Sequence, residues 1–236
     1  MPWTLAGSYC GPAPLPDGIW TDWNLDPALI ASLGAMAFLL RRSPAGLAAC
    51  AVLAVAFVSP LCALSVALFS ARVVHHVLLV AVAAPLLARA RPAGGAPSLP
   101  AAFLAATAAL WLWHLPAAYD LALAHKGAYW AMQASLLGSA VWFWRAVLRP
   151  GAPAVPAILW TLAAFMAMGG LGALLTFAPA PLYAAHAVAP LDWGIAPIQD
   201  QQLGGLLMWV PAGLPYAAII AGLGAGLWRR AEGRAA

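Results

Sequence analysis

The sequence predicts an all-α fold: a polytopic membrane helical bundle of about seven transmembrane helices, with the N-terminus outside and the C-terminus cytoplasmic. Three observations carry that prediction. Of 236 residues, 64% are hydrophobic and 8% charged, whereas soluble domains carry about 25% charged residues; the mean hydropathy is +0.87. Apolar runs recur at the length that a hydrocarbon core about 30 Å thick demands of a helix. The arginines gather on alternate connections between those runs, as cations retained on the cytoplasmic side do.

The runs are 26–40, 44–69, 71–90, 98–118, 127–148, 154–178 and 201–228. The first is short, its apolar stretch ending at Arg41; tilt and local bilayer adaptation accommodate such variation. The third opens with Arg72 and the adjacent His75 and His76. The fourth contains WLWHLP at 111–116, where Pro116 ends or kinks the helix just beyond His114 and frees carbonyls that need partners. The sixth carries MGGLGALL at 168–175 and the seventh Gly204 and Gly205, small residues that let helices approach closely. A proline-rich connection, 179–200, joins these two. We expect one bundle domain over 26–228, between an external N-terminal segment, 1–25, and a basic cytoplasmic tail, 229–236.

Charge tests the span count, because adding or dropping one helix inverts every later connection. With seven spans, Arg41, Arg42, Arg89, Arg91, Arg145, Arg149, Arg229, Arg230 and Arg234 are cytoplasmic, and only Arg72 and Lys126 fall outside. In a membrane chain these cations set topology, so no nucleic-acid partner is expected. The first 26 residues lack Lys and Arg, unlike a cleavable signal, and are expected to be retained outside. Cys10, Cys50 and Cys62 are isolated and odd in number; neither a disulfide framework nor a zinc motif is expected.

All five histidines map to the outer half: His75, His76, His114, His125 and His186. Ionisable residues within membrane segments are costly and face a cavity or a partner. His75 and His76 point about 100° apart on a helix, so one is expected to face inward while its neighbour hydrogen-bonds or reaches the interface. His125, beside Lys126, reads as a solvated loop residue. Cys62, Met132, Met166, Met168 and Met208 add soft sulfur donors suited to Cu(I), against the plainer reading of buried packing material. Asp200 is placed to cap its own helix, with Gln201 and Gln202 beside it. Ser65, Ser135 and Ser139 have no spaced histidine partner, so no hydrolase and no enzyme is expected. Without Cys-x-x-Cys-His, covalent haem is excluded; axial haem ligation by His76 and His114 stays open.

FSARVVHHVLLVAVAAPLL at 69–87, WLWHLPAAYDLAL at 111–123, LGALLTFAPAPLY at 171–183 and DQQLGGLLMWVPAG at 200–213, taken in order, resemble the CtaG family of cytochrome c oxidase assembly proteins, of the polytopic Bacillus type. The resemblance implies a seven-helix protein of the bacterial plasma membrane that helps form active haem-copper oxidase, with copper handled on the outer side. By position, His76, His114 and Asp200 match family motif residues. Family members tend to have histidine where this chain has Arg72, which gives a His-x-x-x-His pair on one helix face, and a later family histidine falls at Ala134.

The leading expectation is therefore a non-enzymatic assembly factor, or chaperone, for the respiratory oxidase. Copper, as Cu(I), would be held transiently by His76 and His114, with Met208, Met166, Met168 or Cys62 as soft ligands. Asp200, Gln201, Trp113 and His75 would support the site from behind. Its partners would be oxidase subunits or other assembly factors within the lipid bilayer. The alternatives are a copper or small-solute transporter, disfavoured by the apolar inner half, and a structural subunit that docks on the oxidase without metal.

Overall fold

The computed structural model describes residues 8–91 and 98–235, and the described residues are helices and connections with no strand. The first seven residues of the expected external segment and the last residue of the expected tail lie outside them. Helix α1 is Pro27–Leu39, started by the Asp26 carboxylate, which accepts from the Ala28 N–H. Helix α2, Pro44–Phe57, is capped in the same way by Ser43, which accepts from Gly46. The side-chain oxygens satisfy amide donors that a first helical turn leaves free.

Proline sets the next break. Pro60 has no N–H to give to a continuing helix, and the chain bends by 44° between α2 and α3, Leu61–Ala67. Leu68 is extended, with φ −117° and ψ 130°, and the chain restarts at Phe69. Helix α4 then runs Phe69–Ala90. Its middle, Leu78–Ala83, is wound as a π-helix, and the Trp144 indole donates to the Val80 carbonyl there at 2.8 Å. Such widened turns are frequent at functional sites, and this one begins two residues after His76.

Helix α5, Leu99–Trp113, and helix α6, Pro116–Ala124, meet at 76° across His114 and Leu115. The kink expected from Pro116 is present, and the freed His114 carbonyl is taken by the Tyr183 hydroxyl at 3.0 Å. Helices α7, Lys126–Val147, and α8, Ala154–Phe177, follow without a break. A 3₁₀ turn, Ala184–His186, and one helical turn, Ala189–Asp192, lead to α9, Pro197–Trp209, and α10, Gly213–Ala235.

Helix α9 packs most extensively on α8 and on α4. Glycine permits this: a Cβ at Gly205 would stand 2.6 Å from the Gly172 carbonyl oxygen, and one at Gly172 would stand 2.8 Å from that of Gly205. The close approach expected of MGGLGALL and of Gly204–Gly205 is thus realised between these helices. By length and composition three segments can cross a membrane, Phe69–Ala90, Ala154–Phe177 and Pro197–Gly233, and five if each bent pair is one span. Helix α1 is shorter, and α7, with Lys126, Gln133 and Arg145 along it, is not among them.

The cysteine expectation is overturned. Cys10 and Cys62 form a disulfide across 52 positions, with Cα atoms 5.3 Å apart, and Cys50 alone is free. Isolated spacing hid this pair because the bend at Pro60 turns Cys62 back toward the N-terminal segment. Tyr9 of that segment donates to Asp26 at 2.7 Å and stacks on Tyr129 with ring centroids 5.2 Å apart. Burial, with the Asp26 hydrogen bond next, pushes the Tyr9 hydroxyl upward in pKa.

Candidate functional site

Helix α4 has neighbours on several sides, and this decides the fate of its two histidines. The expectation that one of them hydrogen-bonds or reaches the interface fails: His75 is 0% and His76 3% exposed. The 100° between them is met by two different neighbours. His75 sets its ring edge-on to Phe57 of α2 at 4.8 Å, while His76 faces His114 of α5 at 6.1 Å between centroids. Among the described residues, none of the four ring nitrogens of His75 and His76 has a hydrogen-bond partner.

His114 is held by its own helix end, where Nδ1 lies 2.7 Å from the Leu110 carbonyl. That contact makes Nδ1 the protonated nitrogen and leaves the Nε2 lone pair free, since a neutral imidazole has one donor and one acceptor. Trp113 braces the neighbouring backbone by donating to Ser135 of α7 at 2.8 Å. His76 and His114 are thus neighbours in the fold, with Trp113 adjoining His114 along the chain.

Asp200 does not cap its own helix. Helix α9 begins at Pro197, and the fully buried Asp200 carboxylate reaches across to the start of α4. It accepts from the Phe69 N–H at 2.6 Å, the Ser70 N–H at 3.1 Å and the Ser70 hydroxyl at 2.5 Å. The break at Leu68 leaves those amides without intrahelical acceptors, and a carboxylate is the acceptor that an N-terminal helix dipole favours. Gln201 accepts from the Leu182 N–H at 2.7 Å, so the head of α9 pins both α4 and the 178–196 connection.

Tyr119, Tyr183 and Gln133 were not singled out from the sequence. Tyr119 sits 4.3 Å from Tyr183 and hydrogen-bonds His186 Nε2 at 2.7 Å, and His186 Nδ1 lies 3.2 Å from the Ala67 carbonyl. His186, expected in an outer loop, is buried, and His125 is exposed as expected. Burial first, with the Arg72 cation nearby, depresses the His186 pKa to about 3 against the pull of the Ala67 carbonyl. Arg72 is fully buried: its Nε donates to the Ser65 carbonyl at 3.2 Å, while Nη1 and Nη2 have no hydrogen-bond partner among the described residues. Gln133 of α7 is 2% exposed with both amide atoms unpartnered. A signal for these two was present, a cation on the wrong side of the charge count and an amide inside an apolar helix.

The sulfur candidates do not gather at the histidines as a set. Cys62 is engaged in the disulfide and offers no free thiolate. Met166 is 63% exposed on the outer surface of α8. Met168 is buried beside Val80, Trp144 and Tyr216, and Met208 beside Gly172. Ala134, where the resemblance implies a histidine, is exposed and lines a cavity of about 460 Å³ among α1, α2 and α7. Phe57, which packs against His75, and the buried Gln133 are part of that cavity's lining. Among the described residues, no group of three or more His, Cys, Asp or Glu side chains is placed to hold a metal ion. What the cluster offers a metal is a facing pair of imidazoles.

Long apolar helices, a buried polar cluster and helix ends tied by buried side chains define a helical protein of the membrane type. The chain belongs to the family of cytochrome c oxidase caa3 assembly factors, Caa3_CtaG, whose model matches residues 38–101 and 97–230. The matched residues include Arg72, His75, His76, His114 and Asp200. No curated protein and no solved structure gives a significant match.

Proposed function

We propose that this protein serves cytochrome c oxidase assembly by holding Cu(I) in transit at the outer side of the bacterial plasma membrane, and that it takes no catalytic part. The observation that carries the copper reading is the proximity of His76 and His114, both buried, with ring centroids 6.1 Å apart, both His76 nitrogens unpartnered among the described residues and His114 Nδ1 taken by the Leu110 carbonyl, which leaves Nε2 for a metal. Cu(I) is the metal that suits two imidazoles, because it accepts low coordination numbers, whereas zinc in a structural site takes four ligands. A carrier must also release its cargo, and a two-donor site favours release. Asp200, by fixing the start of α4, positions His76; Trp113, by fixing the end of α5, positions His114.

The topology that suits this role has seven spans, made of α1, α2 with α3, α4, α5 with α6, α7, α8, and α9 with α10. It puts the N-terminus outside and the tail from Arg229 in the cytoplasm. The charge asymmetry supports it: nine of the eleven Lys and Arg residues fall on one side. The Cys10–Cys62 disulfide agrees with an oxidising outer compartment for the N-terminal segment.

The reading is tested in cells. A strain lacking the protein should lose oxidase activity, regain it with added copper or the wild-type chain, and fail to regain it with a His76→Ala, His114→Ala double variant. Full oxidase activity in the deletion strain would sink the proposal. Rescue by the double variant would leave the assembly role and remove copper from it.

A further inference from the structure

Arg72 is a cation placed where a membrane-type core should not tolerate one. It is 0% exposed, its Cζ stands 5.4 Å over the Tyr129 ring, and only Nε has a partner. Among the described residues no carboxylate oxygen lies within hydrogen-bond reach of Nη1 or Nη2, and the oxygens of Asp200 are occupied by Phe69 and Ser70. Taking a charge out of water without a counter-charge is heavily unfavourable, and buried cations of membrane proteins pair with something.

The same place gathers further unused donors. His75, one turn along α4 from Arg72, is fully buried with both ring nitrogens free. Gln133, one turn along α7 from Tyr129, is buried with its amide nitrogen free, and Tyr129 stands beside both Arg72 and Gln133. The lining thus supplies the two guanidinium NH₂ groups, an amide NH₂ and one imidazole N–H, around a single positive charge. Such a set suits an acceptor carrying one negative charge, and it repels a cation. Water can hydrogen-bond there but leaves the charge uncompensated.

We propose that Arg72, His75 and Gln133 form a buried binding site for a small monovalent anion of the halide class, bound at the Arg72 guanidinium between α4 and α7. The site adjoins the His76–His114 pair, with the His75 and His76 ring centroids 5.7 Å apart, but uses different side chains and does not depend on copper. Its occupant completes the hydrogen bonding of the cluster and neutralises Arg72, so that the histidines beside it no longer face an uncompensated cation.

The test uses the full-length protein in detergent, free of copper and halide, in gluconate at constant ionic strength. Chloride or bromide replacing gluconate should raise the thermal midpoint saturably, by about 5 °C. Arg72→Gln should abolish that rise, and Gln133→Leu should weaken halide binding about tenfold. Should Arg72→Gln fail to fold, wild-type crystals soaked in bromide decide, with an anomalous peak expected within hydrogen-bond distance of Arg72. A wild-type midpoint indifferent to both halides, or bromide-soaked crystals without that peak, would overturn the site.

Discussion

Asp200 and Ser70, 130 positions apart, are joined twice: one carboxylate oxygen accepts both the Ser70 N–H and its hydroxyl, while the other takes the Phe69 N–H. The contact ties the head of α9 to the head of α4, six residues before His76. It converts a helix break into a fixed starting point for the histidine pair.

Removing the carboxylate should therefore loosen the site as well as the fold. Asp200→Ala leaves two buried amides unsatisfied, at about 1 to 3 kcal/mol for each such group. We expect a loss of about 3 kcal/mol in unfolding free energy in detergent, and about 1 kcal/mol for Asp200→Asn, which keeps an acceptor. Equal stability of Asp200→Ala and wild type would show that the cap contributes nothing.

The α8–α9 contact predicts an asymmetry between glycines. Gly205→Ala forces a methyl against the Gly172 carbonyl and should destabilise by about 2 kcal/mol. Gly170→Ala meets nothing within 4 Å and should be neutral or stabilising by up to about 1 kcal/mol, since alanine is the better helix former. Paired chemical-unfolding curves would check both.

His186 predicts a specific acid sensitivity. Its native pKa is held near 3, whereas an unfolded histidine has a pKa of about 6.5. Above pH 6.5 both states are neutral and the residue adds no pH dependence. As pH falls from about 6.5 toward 3 the unfolded chain binds the proton and the native chain does not, so stability drops by up to about 1.4 kcal/mol per pH unit. The groups facing the ring are Tyr119, Phe69, the Ala67 carbonyl and, at longer range, Arg72. His186→Gln should be less stable at pH 7 and lose that share of the slope; an unchanged slope from pH 6.5 to 4 would refute the assignment.

Much of this was legible in the residues. Apolar run length marked the helices, because burying backbone in lipid leaves few other solutions, and Pro116 marked the kink that frees the His114 carbonyl. That the histidines share one depth was legible from the spans, while the choice of His76 and His114 among them came from the family resemblance. Three things were not legible. The partner of Asp200 depends on a break at Leu68 that carries no proline or glycine of its own. The Cys10–Cys62 bond depends on the bend at Pro60, which spacing along the chain does not report. Arg72 stood out and Gln133 did not, and only the packing of α7 against α4 shows that they share one buried region.

The central claim is that His76 and His114 hold Cu(I). Its most direct measurement is the copper content of detergent-purified protein loaded with Cu(I) under reducing conditions, for wild type and the His76→Ala, His114→Ala double variant with matched thermal midpoints. We predict about one copper per wild-type chain and none retained by the variant. No copper on the wild type, or equal copper on both, would contradict the account.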